Sequence, residues 1–138
     1  MNKKSDELKK LIESQVASLA DAPNIWSQPP VAIEPEKWLT RWQIYKAISS
    51  KYPMSNFGYH FVGFDESGRH GAVSSKLEQF DPHKMRGISQ SGRVYQLLGE
   101  PGVDPDAQYT LEGWSQRNQV VMQDATKEFI QYYQIDLE

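Results

Sequence analysis

The sequence predicts an α+β domain: a small, strongly bent antiparallel meander of four to five strands, an N-terminal helix and one or two C-terminal helices. Three observations carry this. Residues 5–20 space their apolar positions three and four apart. Residues 38–99 hold short aromatic and β-branched runs broken by turn signals about every eight to twelve residues. At Asp104–Pro105 the period changes back to that of a helix.

The first element is a helix within residues 1–20. In "SDELKKLIESQVASLA", Leu8, Leu11, Ile12, Val16 and Leu19 form one apolar stripe, and Ser5 stands at a cap position. Residues 21–37 contain Pro23, Pro29, Pro30 and Pro35, which fix φ and remove donors, so this stretch reads as an irregular arm. Ile25, Trp26, Val31 and Ile33 give the arm apolar anchors, Trp26 foremost.

The sheet spans 38–99. "WLTRWQIYKAIS" (38–49) fits a helix through Trp38, Leu39, Trp42, Tyr45 and Ile48, and a strand through Trp42, Ile44 and Ile48. Its aromatic and β-branched content favours the strand. "YHFVGF" (59–64) reads as a strand buried on both faces, followed by the polar turn "DESGRHG". "AVSSKLEQFD" (72–81) reads as one strand with a bulge, because Val73 and Leu77 are in phase and Phe80 is not. "MRGIS" (85–89), a tip at Gln90-Ser91-Gly92 and "RVYQLLG" (93–99) make a hairpin. The connections are too short for the crossovers that parallel neighbours need, so all pairs are expected to be antiparallel.

Residues 103–138 form the helical part. Asp104 is placed as N-cap and Pro105 at the first helical position. Val103, Ala107, Leu111 and Trp114 repeat along one face, and Asn118 marks a stop. After "QVVM", Asp124 and Thr126 are alternative caps for a last helix, "TKEFIQYYQI". The expected core is Ile44, Phe61, Val62, Phe64, Val73, Leu77, Tyr95, Leu97, Leu111 and Trp114. No internal repeat appears, and 138 residues fit one domain.

Composition excludes several chemistries. With no cysteine there are no disulfides, thiolate metal sites or cysteine nucleophiles, which suits a reducing, cytoplasmic setting in a bacterial-type protein. No apolar run approaches the roughly 20 residues of a membrane span, and the charged N-terminus lacks the apolar stretch of a signal peptide. The net charge of −3 is polarised: −2 over residues 1–36, +5 over 37–93 and −6 over 94–138.

No nucleotide-binding loop, nucleophile elbow or zinc-helix motif is present. His60, His70 and His83 lack local metal-ligand spacing; His60 reads as a satisfied core histidine, the other two as turn histidines. A Ser74/His60/Asp65 triad can be drawn, but no spacing selects it. Asp65 and Glu66 sit in a turn whose solvation implies ordinary carboxylates, and Asp104 and Asp106 suit a helix start. Ser91-Gly92-Arg93 reads as a hairpin tip rather than a phosphate nest, since the nearest helix start carries carboxylates. Arg93 is expected to clamp Asp81. No catalytic, metal or cofactor residue is assigned.

Ser91-Gly92-Arg93, Tyr95, Leu97, Gly99, Pro101-Gly102 and Trp114, flanked by "VSSKLEQFD" and "DAT", resemble a segment shared by a family of small uncharacterised bacterial proteins. The resemblance covers about residues 59–126. It implies a shared fold and carries no activity.

The leading functional expectation is a non-enzymatic protein-interaction module, with self-association as one version. It rests on 16 aromatic residues, more than so small a core was expected to need, and on the charge polarity. The expected interaction surface is Trp26, Arg41, Tyr45, Lys76, Arg86 and Arg93. The alternatives are single-stranded nucleic-acid binding, with Trp42, Tyr45, Tyr52 or Tyr59 stacking bases beside the basic residues, and an enzyme without a recognisable motif.

Overall fold

The computed structural model describes residues 23–25, 34–49, 51 and 56–137. The helix expected before residue 21 and most of the proline-rich arm, Trp26 included, lie outside the described residues. Among the described residues the strands are β1 (Asn24–Ile25), β2 (Lys37–Ile48), β3 (Tyr59–Asp65), β4 (His70–Val73), β5 (Leu77–Asp81), β6 (Arg86–Ser89), β7 (Val94–Leu97) and β8 (Val121–Asp124). The helices are α1 (Pro105–Asn118) and α2 (Thr126–Tyr132).

These strands form one mixed sheet in the order β1-β5-β6-β7-β2-β3-β4, with β8 also paired to β2. This corrects the expected four-to-five-stranded antiparallel meander. β1 lies parallel to β5, and β2 lies parallel to β7 through Lys37↔Tyr95, Trp38↔Gln96 and Leu39↔Leu97. The crossover from β2 to β7 is made by the four intervening strands rather than by a helix.

The twelve-residue β2 organises the sheet. Its pairing with β3 slips between Thr40 and Gln43, where Arg41 takes a left-handed backbone at φ 45°. The bulge breaks strict alternation, so Leu39, Trp42 and Ile44 all join the same buried core. β3 holds one edge of β2; on the other, β7 takes the first part and β8 the last, through Tyr45↔Asp124 to Ile48↔Val121.

Residues 72–81 are two strands, not one. β4 pairs with β3 and β5 pairs with β6, and the chain crosses between them at Ser74–Lys76. Buried Ser74 fixes the crossing. Its N–H donates to the Phe61 carbonyl (2.8 Å), its Oγ accepts from the Phe61 N–H (2.8 Å) and donates to the Ser75 carbonyl (2.8 Å). The expected bulge lies nearby, as a slip between Leu77 and Gln79 against β6.

The sheet curls until β3 meets β5, four places away in the order. Phe61 lies edge-on to Phe80 of β5 (6.1 Å between ring centroids) and to Tyr95 (5.8 Å). A Cβ on Gly87 would come within 2.7 Å of the Phe61 ring. α2 closes this core by placing Phe129 and Tyr133 at 4.9 and 5.0 Å from Phe80. Each fully buried large side chain contributes roughly 1.5–3 kcal/mol.

α1 covers the opposite face, where Ala107 and Leu111 pack with Val62, Tyr45, Val73 and Met122. Its caps follow from the sequence. Asp104 accepts from the Ala107 N–H (3.0 Å), and the helix ends after Asn118 on a left-handed Gln119. Gly71 of β4 lets the first turn approach; a Cβ there would strike the backbone of Asp106 and Ala107. Of the expected core, Phe64, Val73 and Trp114 are only half-buried; Val103, which began the expected helix stripe, is exposed.

Candidate functional site

One hollow among the described residues is an open groove of about 730 Å³. One wall is Pro101–Val103, in the connection that leads from β7 to α1. The other is the corner from β8 into α2, from Gln123 to Glu128 with Ile130. Gln43 and Lys46 reach it from β2. The bulge creates this geometry: β7 and β8 share one edge of β2, and the gap between them is bridged by single bonds from Gly102 N–H to the Trp42 carbonyl (3.1 Å) and Ala125 N–H to the Ile44 carbonyl (2.8 Å).

A polar network holds the corner. Thr126 Oγ1 accepts from the buried Ile44 N–H (3.0 Å) and donates to Asp124 Oδ1 (2.6 Å), which also accepts from the Thr126 N–H (2.9 Å). Gln43 donates to Asp124 Oδ2 (3.2 Å) and accepts from Gln108 of α1 (2.7 Å). Lys46 pairs with Glu128 across the groove (3.7 Å). Val103 is 64% exposed and Val121 of β8 is 42% exposed, so apolar surface lies beside this network. Among the described residues β8 has one strand neighbour, β2, which leaves its other edge unpaired.

The expected interaction residues do not form one surface. Trp26 lies outside the described residues. Arg41 lies over the Phe64 ring (5.3 Å) and pairs with the cap Asp104 through Nη2 (2.8 Å). Tyr45 packs under α1. Lys76 is exposed at the crossing, and a Cβ on Gly58 would meet its alkyl stem at 2.6 Å. Arg86 donates to Gln96 Oε1 (2.5 Å) across the β6–β7 pair. Arg93 pairs with Glu36 (3.5 Å), not with Asp81, which instead accepts from the His83 and Lys84 N–H groups of its own turn. The groove itself was not legible, because it depends on a bulge and on β8, neither of which the sequence pattern marked.

The other constellations are structural in this geometry. Buried His60 donates from Nδ1 to the Ser74 carbonyl (2.8 Å) and its ring lies 4.7 Å from that of Trp114. Burial lowers its pKa from the usual histidine value and nearby Lys76 lowers it further, against the bond to Ser74. The Ser74 hydroxyl is directed elsewhere, and Asp65 ends the same strand five residues away, so the triad is not assembled.

Asp65 is the larger surprise. Its side chain is fully buried, not solvated. Burial pushes its carboxyl up, but donors outweigh this and hold it below the usual carboxylate value: Ser67 Oγ (2.7 Å), Lys37 Nζ (3.1 Å), and the Trp38 and Ser67 N–H groups. With the Gly68 N–H added (3.2 Å), both oxygens are committed to stapling the β3–β4 turn to β2. Exposed His70 stands 4.0 Å away. Among the described residues no group of three or more acidic or histidine side chains is placed to hold a metal.

At Ser91-Gly92-Arg93 the backbone donors turn inward. Gly92 N–H reaches the Ser89 carbonyl (2.8 Å) and Ser91 N–H reaches Ser75 Oγ (3.2 Å), which confirms a hairpin tip rather than an anion nest. Among the described residues no helix is long and apolar enough to cross a membrane. No family model matches the chain, and no curated protein or solved structure matches it.

Proposed function

We propose that this chain is a non-enzymatic protein-interaction module, working in the cytoplasm, that receives an extended segment of a partner along the open edge of β8 and the adjoining groove. The observation that carries the reading is the unpaired β8 edge beside a groove with both apolar and polar walls. In strand addition the main-chain groups of an edge give affinity, and flanking pockets read alternate side chains. Val103 and Ile130 offer apolar contact there, and Asp124 offers an acceptor.

The aromatic residues add little to this surface. Of the fourteen described aromatic residues only Phe57, Tyr109 and Tyr132 are exposed; the others are buried or half-buried. Nucleic-acid binding gains nothing from the geometry either. Trp42 and Tyr59 are buried, and Arg41 and Lys46 are neutralised by Asp104 and Glu128 of the acidic C-terminal third.

The test is selection of displayed extended peptides on the full chain, followed by amide mapping. Selected peptides should shift the amides of Val121–Asp124, and Val103→Asp should weaken them at least tenfold. Peptides that map to another face overturn the site. Salt-dependent oligonucleotide binding in the absence of any peptide ligand overturns the function.

A further inference from the structure

A second sheet edge is occupied in an unusual way. β5 has five residues, and β6 pairs along one side of it. Among the described residues its other side is met by β1, through the two parallel register pairs Asn24↔Gln79 and Ile25↔Phe80. One further bond holds this short segment: the Tyr133 hydroxyl donates to the Pro23 carbonyl, from a ring set in the core beside Phe80 and Phe129. The hold described on residues 23–25 is thus two register pairs and one hydroxyl bond, made by a strand and a ring of the core.

We propose that the outer edge of β5 is an exchange site between copies of this chain, at which Pro23–Ile25 of one copy replaces the same segment of another. Three points support it. The edge strand already accepts a parallel neighbour, so an incoming copy can form the same two register pairs and the same Tyr133 bond. Ten residues separate Ile25 from Glu36, whose N–H donates to the Val94 carbonyl. At about 3.3–3.6 Å each they span up to roughly 40 Å, against a radius of gyration of about 14 Å for a domain of this length. The tether is long enough to hand the segment to a neighbour. Exchange of an identical element is also a low-cost route to self-association, and an edge left bare would invite pairing of other kinds.

The concentration at which exchange sets in follows from the same geometry. The segment in its own chain competes at an effective concentration on the order of millimolar. Exchange therefore becomes visible near that concentration and vanishes on dilution. It is independent of the β8 groove and stands or falls separately.

The absence of cysteine allows a direct test. Asn24 and Gln79 are register partners, so the double variant Asn24→Cys/Gln79→Cys should close a disulfide within one chain when oxidised at micromolar concentration. The two single variants are then mixed at about 1 mM, equilibrated and oxidised. A mixed disulfide dimer should form severalfold above either variant alone, and should disappear when the mixture is diluted to about 10 μM before oxidation. Tyr133→Phe, which removes only the hydroxyl bond, should speed equilibration severalfold. A mixture that gives no excess over the single variants overturns the exchange. A double variant that fails to close within its own chain overturns the pairing on which the exchange rests.

Discussion

Replacing Gly71 by alanine should be among the most damaging single-methyl additions in this protein. Gly71 pairs with Phe64 in β4, directly beneath the first turn of α1. An added Cβ would sit 2.5 Å from the Asp106 carbonyl carbon and 2.6 Å from the Ala107 nitrogen, and closer still to the Asp106 oxygen. The obstacles are backbone atoms, so no side-chain rotation relieves them. Restoring ordinary contact requires α1 to retreat by about 1 Å. That displacement pulls Ala107 off Val62 and stretches the Asp104 cap, which alone is worth roughly 0.5–2 kcal/mol. Overpacking typically costs 1–3 kcal/mol, and this case belongs at the upper end, about 3 kcal/mol. The assay is chemical denaturation, with amide exchange in α1 as a local readout. Gly92→Ala is the internal control. Its Cβ would meet nothing within 4 Å, so only its positive φ of 83° is at stake, a cost of about 1 kcal/mol. If Gly71→Ala stays within 0.5 kcal/mol of wild type, or costs no more than Gly92→Ala, the close seating of α1 is wrong.

Other perturbations separate the structural roles. His60 has a lowered pKa, so the unfolded chain takes up the proton first as pH falls below about 6.5 and stability is lost from there down to the folded pKa; the slope is at most about 1.4 kcal/mol per pH unit. His60→Asn, which keeps a donor for Ser74, should flatten that slope, and parallel profiles would remove His60 as the titrating group. Asp65→Asn should cost roughly 2–3 kcal/mol by breaking a buried, fully donated carboxylate, and should abolish the stability that wild type loses as pH falls from about 3.8 through the folded pKa. A variant as stable as wild type would contradict the staple. Arg93→Lys should change stability by less than about 0.5 kcal/mol, because its pair with Glu36 is solvent-screened; a loss near 1 kcal/mol would point to a partner other than Glu36.

The parts of the fold that were legible in the sequence are those governed by neighbours in the chain. β3, the tip at Ser91-Gly92, the Asp104–Pro105 helix start and the strand character of residues 38–48 all follow from local periodicity and cap chemistry. What escaped is non-local. The parallel pairing of β2 with β7 joins residues that no short-range pattern links, and Val121–Asp124, where Asp124 reads as a helix cap, becomes a strand through its partner β2. Ser74 reads as a mid-strand polar residue until its bonds to Phe61 show the chain turning away there. Asp65 looks like any turn carboxylate until Lys37 and Trp38, 27 or 28 positions earlier, close over it. The groove inherits these failures, since each of its walls depends on a pairing that spans much of the chain.

The way two strands share one edge of β2 also dictates when this protein can finish folding. Lys37 waits for Tyr95, 58 positions later, and Tyr45 waits for Asp124, 79 positions later. Such long separations place the chain among slow folders, because loop closure precedes the contacts that reward it. During synthesis at about 5–20 residues per second, the interval between Ile48 and Asp124 lasts roughly 4–15 s. For that time the Tyr45–Ile48 part of one edge of β2 lacks its partner, with Leu39, Trp42 and Ile44 on the same side of the strand. Arg41 and Lys46 lie in β2, and in the finished sheet they pair with acidic residues translated much later, Asp104 and Glu128. Until those carboxylates emerge, the two cations are unmatched and sit where charge best discourages premature pairing between nascent chains.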